Sequence, residues 1–130
     1  MVSTPSLAEA RVVAYVQTAD LTRARDFYES GLRLPVESEQ QGVVVLRAGD
    51  VRIRLVAEPS YRTSSELAVL GFDVADLDGL IQDLRGRGVH TERTSFTHQD
   101  VQGVWTSPDG DRLAWVKDPD GNIITLSQAR

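Results

Sequence analysis

The sequence predicts an α+β fold made of two βαβββ modules in tandem, and three observations lead there. Residues 13–21 (VAYVQTADL) and 69–77 (VLGFDVADL) are each a β-branched run that ends in Asp-Leu. Residues 48–55 (AGDVRIRL) and 119–126 (PDGNIITL) each carry a glycine turn that feeds a strand. The pairs recur in the same order, so each half reads strand, Asp-Leu, helix, strands, glycine turn, strand. An internal duplication of this kind dictates architecture, and hairpin strands with a helix on one face make an α+β domain. The expected division is an N-terminal arm over 1–9, a first module over 10–58, a linker over 59–66 and a second module over 67–130.

In the first half, residues 12–17 are β-branched and aromatic, the composition of a strand. Asp20 is placed to cap the following helix by accepting from the free N–H groups of its first turn. Leu21, Ala24, Phe27 and Tyr28 recur at helical spacing, so one stripe packs on a sheet. Gly31 is expected to end that helix. Strands are expected over 34–37, 42–47 and 51–56. In the last of these Val51, Ile53 and Leu55 alternate with Arg52 and Arg54, so the arginines face away from the helix side. The stretch 57–65 is polar and contains Pro59, as a linker does.

The second half repeats the plan. A strand over 67–74 leads to Asp76 as cap, and Leu77, Leu80, Ile81 and Leu84 form the buried stripe of a helix. Gly86 and Gly88 close it. Strands are expected near 90–94, 101–106, 112–117 and 122–127.

Two turns set the pairing. Ser107-Pro108-Asp109-Gly110-Asp111 and Asp118-Pro119-Asp120-Gly121-Asn122 have the same form. Pro suits the second position of a type I turn and Gly the left-handed residue that follows, which is a three-residue hairpin loop with a bulge. Counting back from these turns sets Trp115 opposite Thr125 and Trp105 opposite Leu113. Opposed residues share a face, so these four side chains point to one side of the sheet.

The 130 residues suit one domain with a real core. A net charge of -5 and a pI near 4.9 argue against nucleic acid or an anionic membrane as partner. The absence of cysteine excludes disulfides, thiolate catalysis and thiolate metal sites. No apolar run is long enough to span a bilayer, and the N-terminus lacks a basic segment followed by an apolar one, so a cytoplasmic location is expected.

The DPDGN turn at 118–122, the paired Asp-Leu helix starts and RDFYESGL at 25–32 together resemble the vicinal oxygen chelate superfamily. That superfamily includes glyoxalase I, extradiol dioxygenases, fosfomycin-resistance enzymes and bleomycin-resistance proteins. The resemblance spans about residues 10–128. It implies two βαβββ modules forming a cupped mixed sheet, commonly in a homodimer, and metal ligands (His, Glu or Gln) on the cup-facing strand positions. Those positions fall here on Val13, Arg54, Val69 and Thr125. Valine has no lone pair and arginine is a fixed cation, so no family-type metal site and no cofactor are expected. His90 and His98 are expected to be solvated or locally hydrogen-bonded. His98 with Asp100 would supply two ligands, too few for a site. Ser107 and Ser127 have no histidine placed nearby to activate them.

Without a metal the cup becomes a pocket whose candidate lining is Val13, Tyr15, Arg54, Val69, Trp105, Leu113, Trp115 and Thr125. Two tryptophans and a tyrosine offer flat stacking surface, and Arg54 can pair with a carboxylate, phosphate or sulfate. The expected function is metal-independent binding of a small planar or aromatic molecule, as in antibiotic sequestration or resistance. Bleomycin-resistance proteins hold a cationic drug, which Arg54 does not suit; an anionic or neutral planar compound suits it better. The competing reading is a metal-dependent lyase, isomerase or oxygenase of the superfamily with non-standard ligands. A dimeric interaction module without a small ligand is a third.

Overall fold

A computed structural model describes residues 5–63, 66–95 and 98–130. Two four-stranded mixed sheets carry the fold. The first holds β1 (Val13–Thr18), β2 (Val36–Gln40), β3 (Val43–Ala48) and β4 (Val51–Ala57), in the order β1-β4-β3-β2. The second holds β5 (Ala68–Asp73), β6 (Trp105–Thr106), β7 (Arg112–Lys117) and β8 (Ile123–Gln128), in the order β5-β8-β7-β6. β1 runs parallel to β4 and β5 parallel to β8, and every other pairing is antiparallel. Both helices, α1 (Leu21–Asp26) and α2 (Leu77–Gly86), sit in the β1–β2 and β5–β6 crossovers. The sequence duplication is therefore a structural one.

The helix starts are as read. Asp20 Oδ1 accepts from the Arg23 N–H, and Asp76 Oδ1 from the Gly79 N–H. Ala24 and Tyr28 are buried in the first helical segment, and Leu77, Ile81 and Leu84 in α2. They close over the helix-side face of the sheets, where Val16, Val44, Leu46, Ile53, Leu55, Ala114, Val116, Ile124 and Leu126 form one core cluster.

Gly31 is the last residue of the first helical segment, as expected, but the chain reaches it through a π-helical turn, Phe27–Gly31, and the left-handed conformation falls on Arg33 at φ 60°. A Cβ at Gly31 would sit 3.3 Å from Val89 Cγ2, so the position also favours glycine for space. Three expectations are corrected. The next strand then begins at Val36, past Pro35, rather than at residue 34. Residues 90–94 form no strand. Their backbone is held by side chains: Gln99 Nε2 donates to the Glu92 carbonyl and Gln99 Oε1 accepts from the Thr94 N–H. The strand expected over 101–106 shrinks to Trp105–Thr106, since Asp100 Oδ1 captures the N–H groups of Gln102 and Val104. The loss of the 90–94 strand leaves βαβββ in both halves.

The two modules are joined by buried and half-buried polar contacts. Tyr28 OH donates to Asp118 Oδ2 at 2.7 Å. Thr18 Oγ1 donates to Asp120 Oδ2 at 2.5 Å, and Asn122 Nδ2 to the Gln17 carbonyl at 3.2 Å. Arg87 Nε donates to the Gly31 carbonyl at 2.9 Å. No helix among the described residues is long and apolar enough to cross a membrane.

Candidate functional site

The side of each sheet turned away from the helices carries the candidate residues. In the first sheet Val13 lies opposite Arg52 and Tyr15 opposite Arg54. In the second, Trp115 lies opposite Thr125 and Trp105 opposite Leu113, the pairings that the two proline-glycine turns require. Both turns have the expected form: Gly110 and Gly121 sit at φ 95° and 87°, and their N–H groups bond back to the Ser107 and Asp118 carbonyls. Arg54 and Thr125 are equivalent by structure as well as by sequence, since Tyr15 faces Arg54 as Gly71 faces Thr125. Val69 occupies a register irregularity between Ala68 and Leu70.

The eight candidates fall into two groups on two sheets. Tyr15 and Arg54 touch: Arg54 Nη1 donates to Tyr15 OH at 2.8 Å, and the guanidinium carbon lies 5.5 Å from the ring centroid. This is a hydrogen bond combined with a cation–π contact. It leaves the Tyr15 side chain open, with 63% of the residue exposed. On the second sheet Trp115 and Thr125 line a cavity of about 470 Å³, shared with Leu67, Ala68, Ile123, Lys117, Glu92 and Arg93, among others. Val13, Tyr15, Arg54, Val69, Trp105 and Leu113 are not in its wall.

Ile123 and Lys117 were legible as neighbours, because they stand two residues from Thr125 and Trp115 on the same face. Glu92 and Arg93 were not. They arrive on an irregular segment whose Glu92 N–H donates to the Trp115 carbonyl at 2.7 Å. Lys117 Nζ lies 3.8 Å from Glu92, an exposed pair that closes one side of the cavity.

The positions where the superfamily places metal ligands do not fit a divalent cation. Val13 and Val69 offer no donor atom, Arg54 is cationic, and Thr125 faces a glycine. Among the described residues no three His, Cys, Asp or Glu side chains come together in a way that could hold a metal ion. Asp100, the partner suggested for His98, has its Oδ1 occupied by two backbone N–H groups. His90 and His98 are both exposed. Ser107 Oγ accepts from the Asp111 N–H and Ser127 Oγ donates to Asp73, so both hydroxyls serve local structure.

Comparison with known proteins agrees with this fold. A glyoxalase family protein from Bacillus anthracis superposes with a TM-score of 0.74 at 18% identity over 100% of both chains. A bleomycin-binding protein solved with bleomycin gives 0.70 at 21% identity, covering 92% of this chain and 98% of that one. A lactoylglutathione lyase from Agrobacterium tumefaciens gives 0.70 at 17%, covering 92% and 93%. At these identities the likeness establishes the fold alone. No curated protein matches the chain by sequence. The family model described as Glyoxalase/Bleomycin resistance protein/Dioxygenase superfamily matches residues 10–126, and the chain belongs to that superfamily.

Proposed function

We propose that this chain binds a small planar organic molecule against Trp115 and Thr125 without a metal ion, as a sequestering or resistance protein does. The observation that carries the reading is the cavity on the second sheet. It has an aromatic wall at Trp115, aliphatic neighbours at Leu67, Ala68 and Ile123, and polar or charged residues over the rest of its lining, Glu66, Glu92, Arg93 and Lys117 among them. In a small-molecule site the apolar area gives affinity and the polar groups give orientation. The cavity volume of about 470 Å³ suits a ligand of drug size. The donor-poor superfamily metal positions support the metal-free part of the proposal. A homodimer is the assembly that superfamily kinship suggests, and the exposed apolar residues Val12, Tyr15, Leu67 and Val69 on or beside the edge strands β1 and β5 favour it.

The test is calorimetric titration of EDTA-treated protein with planar aromatics, bleomycin among them. Saturable binding without added metal, lost in Trp115→Ala, is the expected result. A tight stoichiometric metal, or ligand binding that appears only after Ni, Zn, Mn or Fe is added, would return the protein to the superfamily's metalloenzymes.

A further inference from the structure

A second concave site lies on the other sheet, where neither tryptophan stands. It is a recess of about 530 Å³ beside the β3–β4 turn, walled by Arg11, Arg47, Arg52, Gly49, Asp50 and Val51, with Ala10 and Val12. We infer that this recess is a binding site for a small oxyanion, a carboxylate or a phosphate group, held by Arg47, Arg52 and Arg11.

The register makes the case. Arg47 and Arg52 are directly opposed across β3 and β4, on the face turned away from the helices. Like charges in opposed positions destabilise a sheet, so the pairing calls for an anion between or beside them. Glu37 meets only part of that need. Its carboxylate takes Arg52 Nε at 2.7 Å and Nη2 at 2.8 Å. One edge of the Arg52 guanidinium is thereby fixed, while Nη1 is left without a hydrogen-bond partner among the described residues. A guanidinium clamped on one edge is a preorganised donor on the other, so less side-chain freedom is lost on binding. Arg47 and Arg11 form no ion pair among the described residues. Both nevertheless reach Glu37 electrostatically, adding to the hydrogen bond from Arg52 that holds its carboxyl below the usual carboxylate range.

Charge supports the same reading. Three guanidinium groups meet two carboxylates there, Glu37 and Asp50, a local positive excess on a chain whose net charge is -5. A compact cationic spot on an acidic protein draws in small anions but does not suit a polyanion, which the rest of the surface would repel. The guanidinium fork matches the planar geometry of carboxylate and phosphate oxygens. This site stands independently of the aromatic reading, because its wall shares no residue with the Trp115 cavity.

The test is a titration of the full chain with inorganic phosphate, and in parallel with acetate, at constant ionic strength set by potassium chloride. Backbone amide NMR shifts give the readout. Saturable shifts at Gly49, Asp50 and Arg47 are expected, weakened at least tenfold in Arg47→Gln and in Arg11→Gln, and unchanged in Arg85→Gln, a distant exposed arginine on α2. Saturation by acetate or by phosphate tells which anion the recess prefers. A linear response to both anions, binding that persists in Arg47→Gln, or an equal loss in Arg85→Gln would overturn the assignment. Because these signals come from the first sheet and aromatic binding is read with Trp115→Ala, either reading can fail without the other.

Discussion

The two hairpins at equivalent places in the duplication have taken opposite roles. The β3–β4 hairpin turns through two exposed residues, Gly49 and Asp50, and only Gly49 has a positive φ (57°), as a type II′ turn requires at its first position. The β7–β8 hairpin turns through Asp118-Pro119-Asp120-Gly121-Asn122, and its polar side chains are spent on joining the modules. Asp118 is 5% exposed and Asn122 1%. Asp118 accepts from Tyr28 OH, from the N–H groups of Asp120 and Asn122, and from Asn122 Nδ2. Asp120 accepts from Thr18 Oγ1 and the Ala19 N–H and lies 3.6 Å from Arg23. A repeat thus supplies two copies of one scaffold position. The copy enlisted for internal contacts has its Asp118 and Asp120 carboxylates and its Asn122 amide engaged within the protein. The other copy keeps its turn and the adjoining arginines open.

The contrast breaks first at Asp118. Asp118→Ala strips the buried Tyr28 hydroxyl and Asn122 amide of their acceptor and is expected to cost about 3 kcal/mol. The first module's turn carboxylate should matter far less, with Asp50→Ala within about 0.5 kcal/mol. Urea unfolding of the two variants measures both, and equal losses would erase the distinction between the hairpins.

A smaller effect is expected at the turn glycines. Gly121 sits at φ 87° with Thr63 Cγ2 3.2 Å from where a Cβ would stand, whereas nothing lies within 4 Å of such an atom at Gly49. Gly121→Ala should therefore cost about 2 kcal/mol, from backbone strain and crowding together, and Gly49→Ala about 1 kcal/mol from strain alone. Thermal unfolding would rank them.

The smallest change sharpens the comparison through pH. Tyr28→Phe keeps the ring and removes only the donor to Asp118, for about 1.5 kcal/mol. Burial, and then the Asp118 charge, hold the Tyr28 phenol well above its ordinary value of 10.0. The native state therefore keeps this proton where the unfolded chain releases it. The tyrosine's contribution is complete below about pH 10 and declines above it by about 1.4 kcal/mol per pH unit. Tyr28→Phe should remove that alkaline decline, and an unchanged slope in the variant would place its origin elsewhere.

Much of this was legible residue by residue. Paired Asp-Leu motifs located both helix caps, because a capping carboxylate needs only local N–H groups. The Pro-Asp-Gly turns set the register of β6, β7 and β8, because turn type and pairing are linked over a few residues. The alternation of Arg52 and Arg54 with Ile53 and Leu55 identified their faces for the same reason. The sequence alone also established the duplication, which depends on residue identity and short spacing, and the superfamily resemblance implied which strand positions would hold a metal and that they are donor-poor.

Only the tertiary structure decided the rest. It dissolved the strand expected over 90–94, since Gln99, several residues away, supplies the hydrogen bonds that a ladder would have supplied. It placed the left-handed conformation on Arg33 and brought Val89 of the other module against Gly31. It separated the eight candidate residues onto two sheets and brought Glu92 and Arg93 to Trp115. It also brought Arg11 beside Arg47 and Arg52. Apart from the local contacts of Gln99, these outcomes rest on contacts between residues far apart in the chain, where packing space and shared hydrogen bonds outweigh local preference.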